Sequence, residues 1–209
     1  MSARAAQTRR RTRIQEENET LILDAALEVF SDHGFRGASL DDIARGAGMS
    51  KPNMLYYFKG KEEIHLSLLN RLLDDWLAPL QTLDPEGEPL EEIRQYIRLK
   101  LQLARDFPRE SRLFANEILR GAPHIGEYLS GPLKDLVDDQ ASVIQHWIDR
   151  GQIAVIDPRH LIFMIWATTQ HYADFDTQIS AVLGPRDATR FEDAASTVER
   201  LILGGLAVE

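Results

Sequence analysis

Three observations predict an all-α fold for this 209-residue chain. Apolar residues recur at three- and four-residue intervals from about residue 20 onward. No stretch alternates apolar and polar residues for long enough to make a half-buried strand. Proline, glycine and acidic clusters fall between the periodic stretches and punctuate them. Hydrophobic residues make up 44% of the chain, enough to bury a core and to set aside a disordered tail protein.

The first element, TLILDAALEVFSDHG (20–34), puts Leu23, Ala26, Leu27 and Phe30 on one face and stops at Gly34. SLDDIARGAG (39–48) opens on Ser39 as an N-cap, with acids in its first turn and Leu40, Ile43 and Ala44 facing inward. A short helix follows Ser50. From Lys61 a long amphipathic stretch runs through EEIHLSLLNRLLDDWLAPLQTL. Pro79 removes the hydrogen bond that the Asp75 carbonyl would accept, so a kink is expected there. DPEGEP (84–89) is the clearest break. Beyond it, helices are expected at about 90–106, 109–121, 133–150, 158–180 and 187–207.

Composition removes several function classes. The absence of cysteine excludes disulfides, thiolate metal sites and cysteine nucleophiles. No run approaches the roughly 20 apolar residues needed to cross a bilayer. The basic N-terminus MSARAAQTRRRTR lacks the apolar segment of a signal peptide. A cytoplasmic protein with no membrane partner is therefore expected. Nucleophile elbow, phosphate-binding glycine loop and HExxH motif are all missing, so no enzyme is expected. His171 and Asp174, one helical turn apart, are the nearest thing to a catalytic pair and carry the distant enzyme alternative.

Charge is unevenly spread on a chain of net −9. Residues 1–61 hold ten Lys and Arg against eight Asp and Glu, whereas 62–209 hold fourteen against twenty-five. A basic arm on a near-neutral small unit, ahead of an acidic larger one, points to a polyanion-binding end and a solvated body. An arm that serves solubility alone is the plainer reading.

The two short helices joined by GAGMS read as a helix-turn-helix. Gly48 can adopt the left-handed conformation of the turn, Ser50 can cap the next helix, and Pro52 is tolerated in its first turn. The outer face of that helix would carry Lys51, Asn53 and Met54 to base edges in the major groove. Of Tyr56 and Tyr57, one would pack inward with Leu55 and Phe58 and the other, with Tyr57 the candidate, would offer its hydroxyl to a phosphate. Lys61, at the next helix N-terminus, would grip another phosphate. Ser39 at its cap and Arg10, Arg11 and Arg13 in the arm complete the candidate DNA contacts. An ordinary helical hairpin with a solvated basic face remains the alternative on spacing alone.

GFRGASLDDIARGAGMSKPNMLYYFKGKEEI (34–64) resembles the DNA-binding module of the TetR family of transcriptional regulators. Its glycine-spaced loop, capped second helix, turn glycine, Ser-Lys, Leu-Tyr-Tyr-Phe and Lys-Glu carry the likeness. DDWLAPL (74–80), YIRLKLQLARDFPRESRLF (96–114) and IDPRHLIFMIWATTQHYADF (156–175) resemble the Rut-type regulators of pyrimidine utilisation within that family. The resemblance implies about nine helices and a homodimer on a palindromic double-stranded operator. It also implies a repressor that responds to a small-molecule effector, uracil or thymine, with no other cofactor and no metal. A different small planar or hydrophobic effector on the same fold is the alternative. Residues 1–15 are expected as a flexible basic arm, 16–62 as the helix-turn-helix domain, and 63–209 as the ligand-binding and dimerisation domain.

The helix at 158–180 is apolar almost all round through Ile165 and is expected to be buried. Trp166 and Gln170, at i and i+4, offer a flat wall beside an amide that both donates and accepts, which suits the edge of a planar pyrimidine dione. Trp76 is a second wall, Lys100 a cation for a ligand carbonyl, and His171 and Tyr172 further polar handles. Each of these is also readable as a satisfied interior residue. For dimerisation, the apolar faces of 133–150 (Leu133, Leu136, Val137, Ile144, Ile148) and 187–207 (Val198, Leu201, Ile202) are candidates for an intersubunit four-helix bundle, with intrachain core as the alternative.

Overall fold

A computed structural model describes residues 3–184 and 189–208, with side chains from residue 13 onward. The described residues are helical throughout with no strand, and they divide into two compact units between Leu72 and Leu73.

The first unit contains α1 (Ala3–Gly37), α2 (Leu40–Gly46), α3 (Lys51–Tyr57) and most of α4 (Lys61–Leu77). Residues 3–15, expected as an arm, are the opening turns of α1. The helical run of α1 breaks at Gly34 (φ 64°, ψ 171°), where only glycine is unstrained, matching the predicted stop. A Cβ at Gly46 would stand 3.1 Å from that of Ala25, so α2 lies close against α1. Ile22, Ala26, Phe30, Ile43, Met54, Phe58, Ile64 and Leu68 form the buried set.

In the second unit the end of α4 passes into a 3-10 turn (Ala78–Thr82), then α5 (Pro89–Asp106), α6 (Pro108–Leu119), α7 (Gly126–Tyr128) and a π-turn (Leu129–Leu133). The π-turn leads into α8 (Lys134–Asp149), followed by α9 (Pro158–Asp174), α10 (Asp176–Leu183) and α11 (Arg190–Leu206). Helix α5 is the hub, with α9 and α11 both packed on it and α8 packed on α9. Its buried stripe is Ile93, Tyr96, Ile97, Lys100, Leu101 and Ala104, at helical spacing. Each fully buried aliphatic side chain here contributes roughly 1.5–3 kcal/mol.

Three boundaries differ from expectation. Pro79 ends α4 at Leu77 instead of kinking it, because the chain tightens into the 3-10 turn. The stretch 158–180 is two helices, since Phe175 (φ −113°, ψ 29°) leaves the helical region without a glycine or proline to announce it. The helix expected from 133 is preceded by α7 and the π-turn, which accommodates Pro132.

Packing also bears on two expectations about faces. Helix α9 is not buried all round: Phe163 and Met164 are 46% and 47% exposed within the chain. Conversely, Val137, Ile144, Val198 and Ile202 are packed in the core of this unit, as the intrachain alternative expects. Leu133, Leu136 and Ile148 are half-buried against that core, whereas Leu201 is 72% exposed. A heptad-like face seen in one helix does not say which neighbour covers it, and here α5 and α9 are the neighbours.

Candidate DNA interface and ligand site

The turn between α2 and α3 is built as the motif requires. The Ser39 hydroxyl oxygen accepts the Asp42 N–H at 3.1 Å and donates to the Asp42 carboxylate at 2.6 Å, capping α2. That hydroxyl, with Arg45 beside it, holds the Asp42 carboxyl below its ordinary pKa. Gly48 takes φ 67° in the turn, and the Met49 N–H closes it on the Ala44 carbonyl at 3.0 Å. Ser50 caps α3 by accepting the Asn53 N–H. Ser39 and Ser50 are thus helix caps first.

Helix α3 turns a different set outward from the one expected. Met54 is 0% exposed and cannot reach a base edge; with Phe58 at i+4 it anchors α3 to its own unit. Its unbranched thioether suits such an irregular gap. Leu55, expected inward, is exposed. The outward face is Pro52, Asn53, Leu55 and Tyr56, flanked by the half-buried Lys51. Tyr56, the other member of the tyrosine pair, is 68% exposed and sets its ring edge-on to Tyr57 at 5.2 Å. An inward residue at 54 implies its neighbours 55 and 56 point out, a consequence of the 3.6-residue period that the tyrosine pair obscured.

The expected phosphate contacts are partly engaged within the chain. Tyr57 accepts from the Asn18 amide at 2.8 Å, which leaves its O–H free to donate. Lys51 pairs with Asp41 at 3.0 Å on the surface, and exposed Arg13 pairs with Glu17 at 3.2 Å. Lys61 donates to the Ala38 carbonyl at 2.9 Å and stands 4.7 Å from the Phe35 ring centre, fastening α4 to the loop before α2. The side chains of Arg10 and Arg11 lie outside the described residues.

In the second unit, two pairs form among the predicted ligand residues and their neighbours. Trp76 and Lys100 come together: the ammonium sits 4.4 Å from the indole centre and donates to the Trp76 carbonyl at 3.3 Å. Trp166 donates its indole N–H to the Tyr96 hydroxyl, and Tyr96 lies one turn before Lys100 on α5. Burial pushes the Tyr96 phenol above its ordinary pKa and draws the Lys100 ammonium down to about 7. Gln170 is half-buried, and among the described residues nothing hydrogen-bonds its amide. Tyr172 is half-buried against Phe191, while His171 is exposed and stacks on Phe175 at 4.9 Å.

Asp174 was not among the expected ligand contacts. It accepts the hydroxyl of buried Ser111 at 2.5 Å, and burial raises its pKa. It therefore pairs with α6, while the His171 ring stacks on Phe175, and among the described residues no hydrogen bond or ion pair is seen between the two members of the supposed catalytic pair. Thr168 and Thr169 return their hydroxyls to carbonyls of their own helix, at Met164 and Ile165. Trp147, the third tryptophan, is fully buried and donates to the Pro85 carbonyl at 3.0 Å, away from the predicted walls in role. A surface groove of about 480 Å³ between α5 and α11 is lined by other residues, among them Gln102, Arg105 and Phe191, and there Arg98 is spent on Glu199.

Residues 22–68 match the family described as bacterial regulatory proteins, tetR family, and residues 69–209 match the YcdC-like protein, C-terminal region. Over 201 residues the chain is 47% identical to the HTH-type transcriptional regulator RutR of Escherichia coli K12, covering 95% of each. It is 25% identical over 194 residues to the HTH-type transcriptional regulator EthR of Mycolicibacterium smegmatis, covering 91% of this chain and 87% of that one. Its fold resembles the ketosteroid transcriptional regulator KstR2 of Mycobacterium tuberculosis, with TM-score 0.73 and 21% identity over 91% of this chain and 95% of that one. It also resembles AibR, solved in complex with isovaleryl coenzyme A and operator DNA, with TM-score 0.65 and 18% identity over 88% and 97% of the two chains.

Proposed function

Because this chain belongs to the TetR family of bacterial transcriptional regulators, we propose that it binds a palindromic operator as a homodimer, with that binding controlled by uracil or thymine. It is a DNA-binding regulator and not an enzyme, as its relatives are along nearly their whole length. Residues 16–62 carry the DNA contacts, and 63–209 carry the ligand and the partner chain.

On the DNA, Asn53 and Tyr56 are the residues best placed to meet base edges, in place of Met54. Lys51 and the Tyr57 hydroxyl serve phosphates, Lys51 exchanging Asp41 for a phosphate oxygen. Phe163 and Met164 on α9 and Leu201 on α11 are the exposed apolar residues that a partner chain would cover.

The observation that carries the effector reading is the pair of aromatic–polar contacts, Trp76 with Lys100 and Trp166 with Tyr96, beside the unspent amide of Gln170. Flat walls and a donor–acceptor amide suit a planar dione, and the likeness to Rut-type regulators supports that choice. Trp76 lies in the same helix, α4, that begins at Lys61. A ligand changes operator affinity only by its preference for one spacing of the two recognition helices, and half-sites lie about 34–36 Å apart. A small displacement per subunit is sufficient to end simultaneous contact.

The test is a titration of tryptophan fluorescence with uracil and thymine, against cytosine and adenine. Saturable change with the two diones alone is expected, and Gln170→Leu should abolish it while operator affinity stays unchanged. Equal response to all four bases, or retained dione binding in the variant, moves the effector or the pocket elsewhere.

A further inference from the structure

Asn18 stands on α1 one turn before Ile22 and continues the spacing of Ile22, Ala26 and Phe30, the stripe that α1 buries in the first unit. Packing alone would favour an apolar residue there. Instead the half-buried Asn18 donates its amide N–H to the Tyr57 hydroxyl at 2.8 Å, joining α1 to the end of α3 across 39 positions of chain. Tyr57 is itself held in place. It lies beside the buried Met54 and Phe58, the Phe58 N–H closes on the Met54 carbonyl at 3.2 Å, and the Tyr56 ring meets its own edge-on. A phosphodiester oxygen only accepts hydrogen bonds, so a phenol serves it only by donating. Conjugation of the oxygen with the ring keeps a phenol O–H near the ring plane, pointing to one of two sides. A donor on one side takes the lone pair there and turns the O–H to the other; an acceptor in the same place would consume the one proton the phenol can give.

We propose that Asn18 is a positioning residue for operator binding: by donating to the Tyr57 oxygen, its amide keeps the Tyr57 O–H unspent and turned from α1 toward a DNA phosphate. The inference rests on the assignment of the Tyr57 hydroxyl to a phosphate and adds the residue that sets the direction of that hydrogen bond. A phosphate is the same at every base pair, so the contribution is independent of sequence. Asn18 acts through Tyr57 and needs no contact with DNA of its own.

The test measures binding to a duplex that the unmodified protein selects from a randomised pool, and to the same duplex with single phosphates replaced by neutral methylphosphonates. Tyr57→Phe should weaken binding roughly 10- to 100-fold. Asn18→Asp, which puts an acceptor where the donor stood, should weaken it by a similar factor, and Asn18→Ala by less. In a Tyr57→Phe background both Asn18 substitutions should lose most of their effect, whereas charge repulsion from the new carboxylate, or loosened packing of α1, would persist there. The methylphosphonate position that weakens the unmodified protein but not Tyr57→Phe marks the phosphate of Tyr57, and Asn18→Asp should be insensitive at that same position. Unchanged affinity in Asn18→Asp, or losses in the Asn18 variants that are equal in both backgrounds, overturns this inference and leaves Tyr57 as a phosphate contact. Unchanged affinity in Tyr57→Phe overturns both. Asn18→Ala brings no charge, so the comparison of backgrounds still decides if Asn18→Asp folds poorly.

Discussion

The two units place their polar groups in opposite ways. In the first, the buried set is apolar apart from His65, and its charges stand outside on α2, α3 and the loops. In the second, Lys100, Ser111, Glu117 and Thr169 are buried inside the helical packing. The contrast follows from what each unit must meet. A polyanion is met at the surface, where lysines and hydroxyls remain hydrated until contact. A small polar ligand must be enclosed, and its partners have to be desolvated beforehand. The informative residues are therefore the exposed ones in the first unit and the buried polar ones in the second.

Met54 gives the largest test of that contrast. A charge at this fully buried position, Met54→Asp, should destabilise the first unit by about 3–5 kcal/mol and abolish operator binding through unfolding. Met54→Leu should cost less than about 1.5 kcal/mol and leave operator affinity unchanged. Lowered affinity in Met54→Leu with an unchanged melting curve would return this residue to the DNA face and break the comparison.

Lys100 sharpens the other side. Its folded pKa, about 7, lies below its ordinary value of 10.5, so between these values the unfolded chain binds a proton that the folded chain lacks. Stability relative to Lys100→Met should therefore rise with pH across that window, by about 1.4 kcal/mol per pH unit at most. Below pH 7 the difference should be flat and in favour of the methionine variant. Paired thermal melts at pH 6, 7.5 and 9 measure it, and parallel curves at all three would mean Lys100 reaches solvent.

Lys61 gives the smallest effect. Lys61→Ala removes a donor from the Ala38 carbonyl and should lower stability by about 1 kcal/mol, besides weakening operator binding on every sequence alike. A reduced salt slope with no loss of stability would make the lysine a phosphate contact alone.

Much of the first unit was legible in order along the chain. The stop at Gly34, the Ser39 and Ser50 caps and the turn glycine were all readable because each depends on neighbours within four residues. The orientation of α3 was not, since seven residues carry too few apolar positions to define a face. In the second unit, Trp76, Lys100 and Trp166 stood out by residue type, but Asp174 and Ser111 meet across 63 positions of chain. The dimer face was ambiguous for a related reason: Val137 and Ile202 are periodic and apolar whether a partner chain or their neighbours α9 and α5 cover them.

Helical class, caps, breaks and family likeness come from the order of residues alone, because backbone hydrogen bonds and turn conformations are local. Packing chose which side of α3 faces out, that α5 lies against both α9 and α11, and that Lys100 lies inside against Trp76. Those are outcomes of side chains excluding water against neighbours distant in sequence, and no local pattern specifies the neighbour.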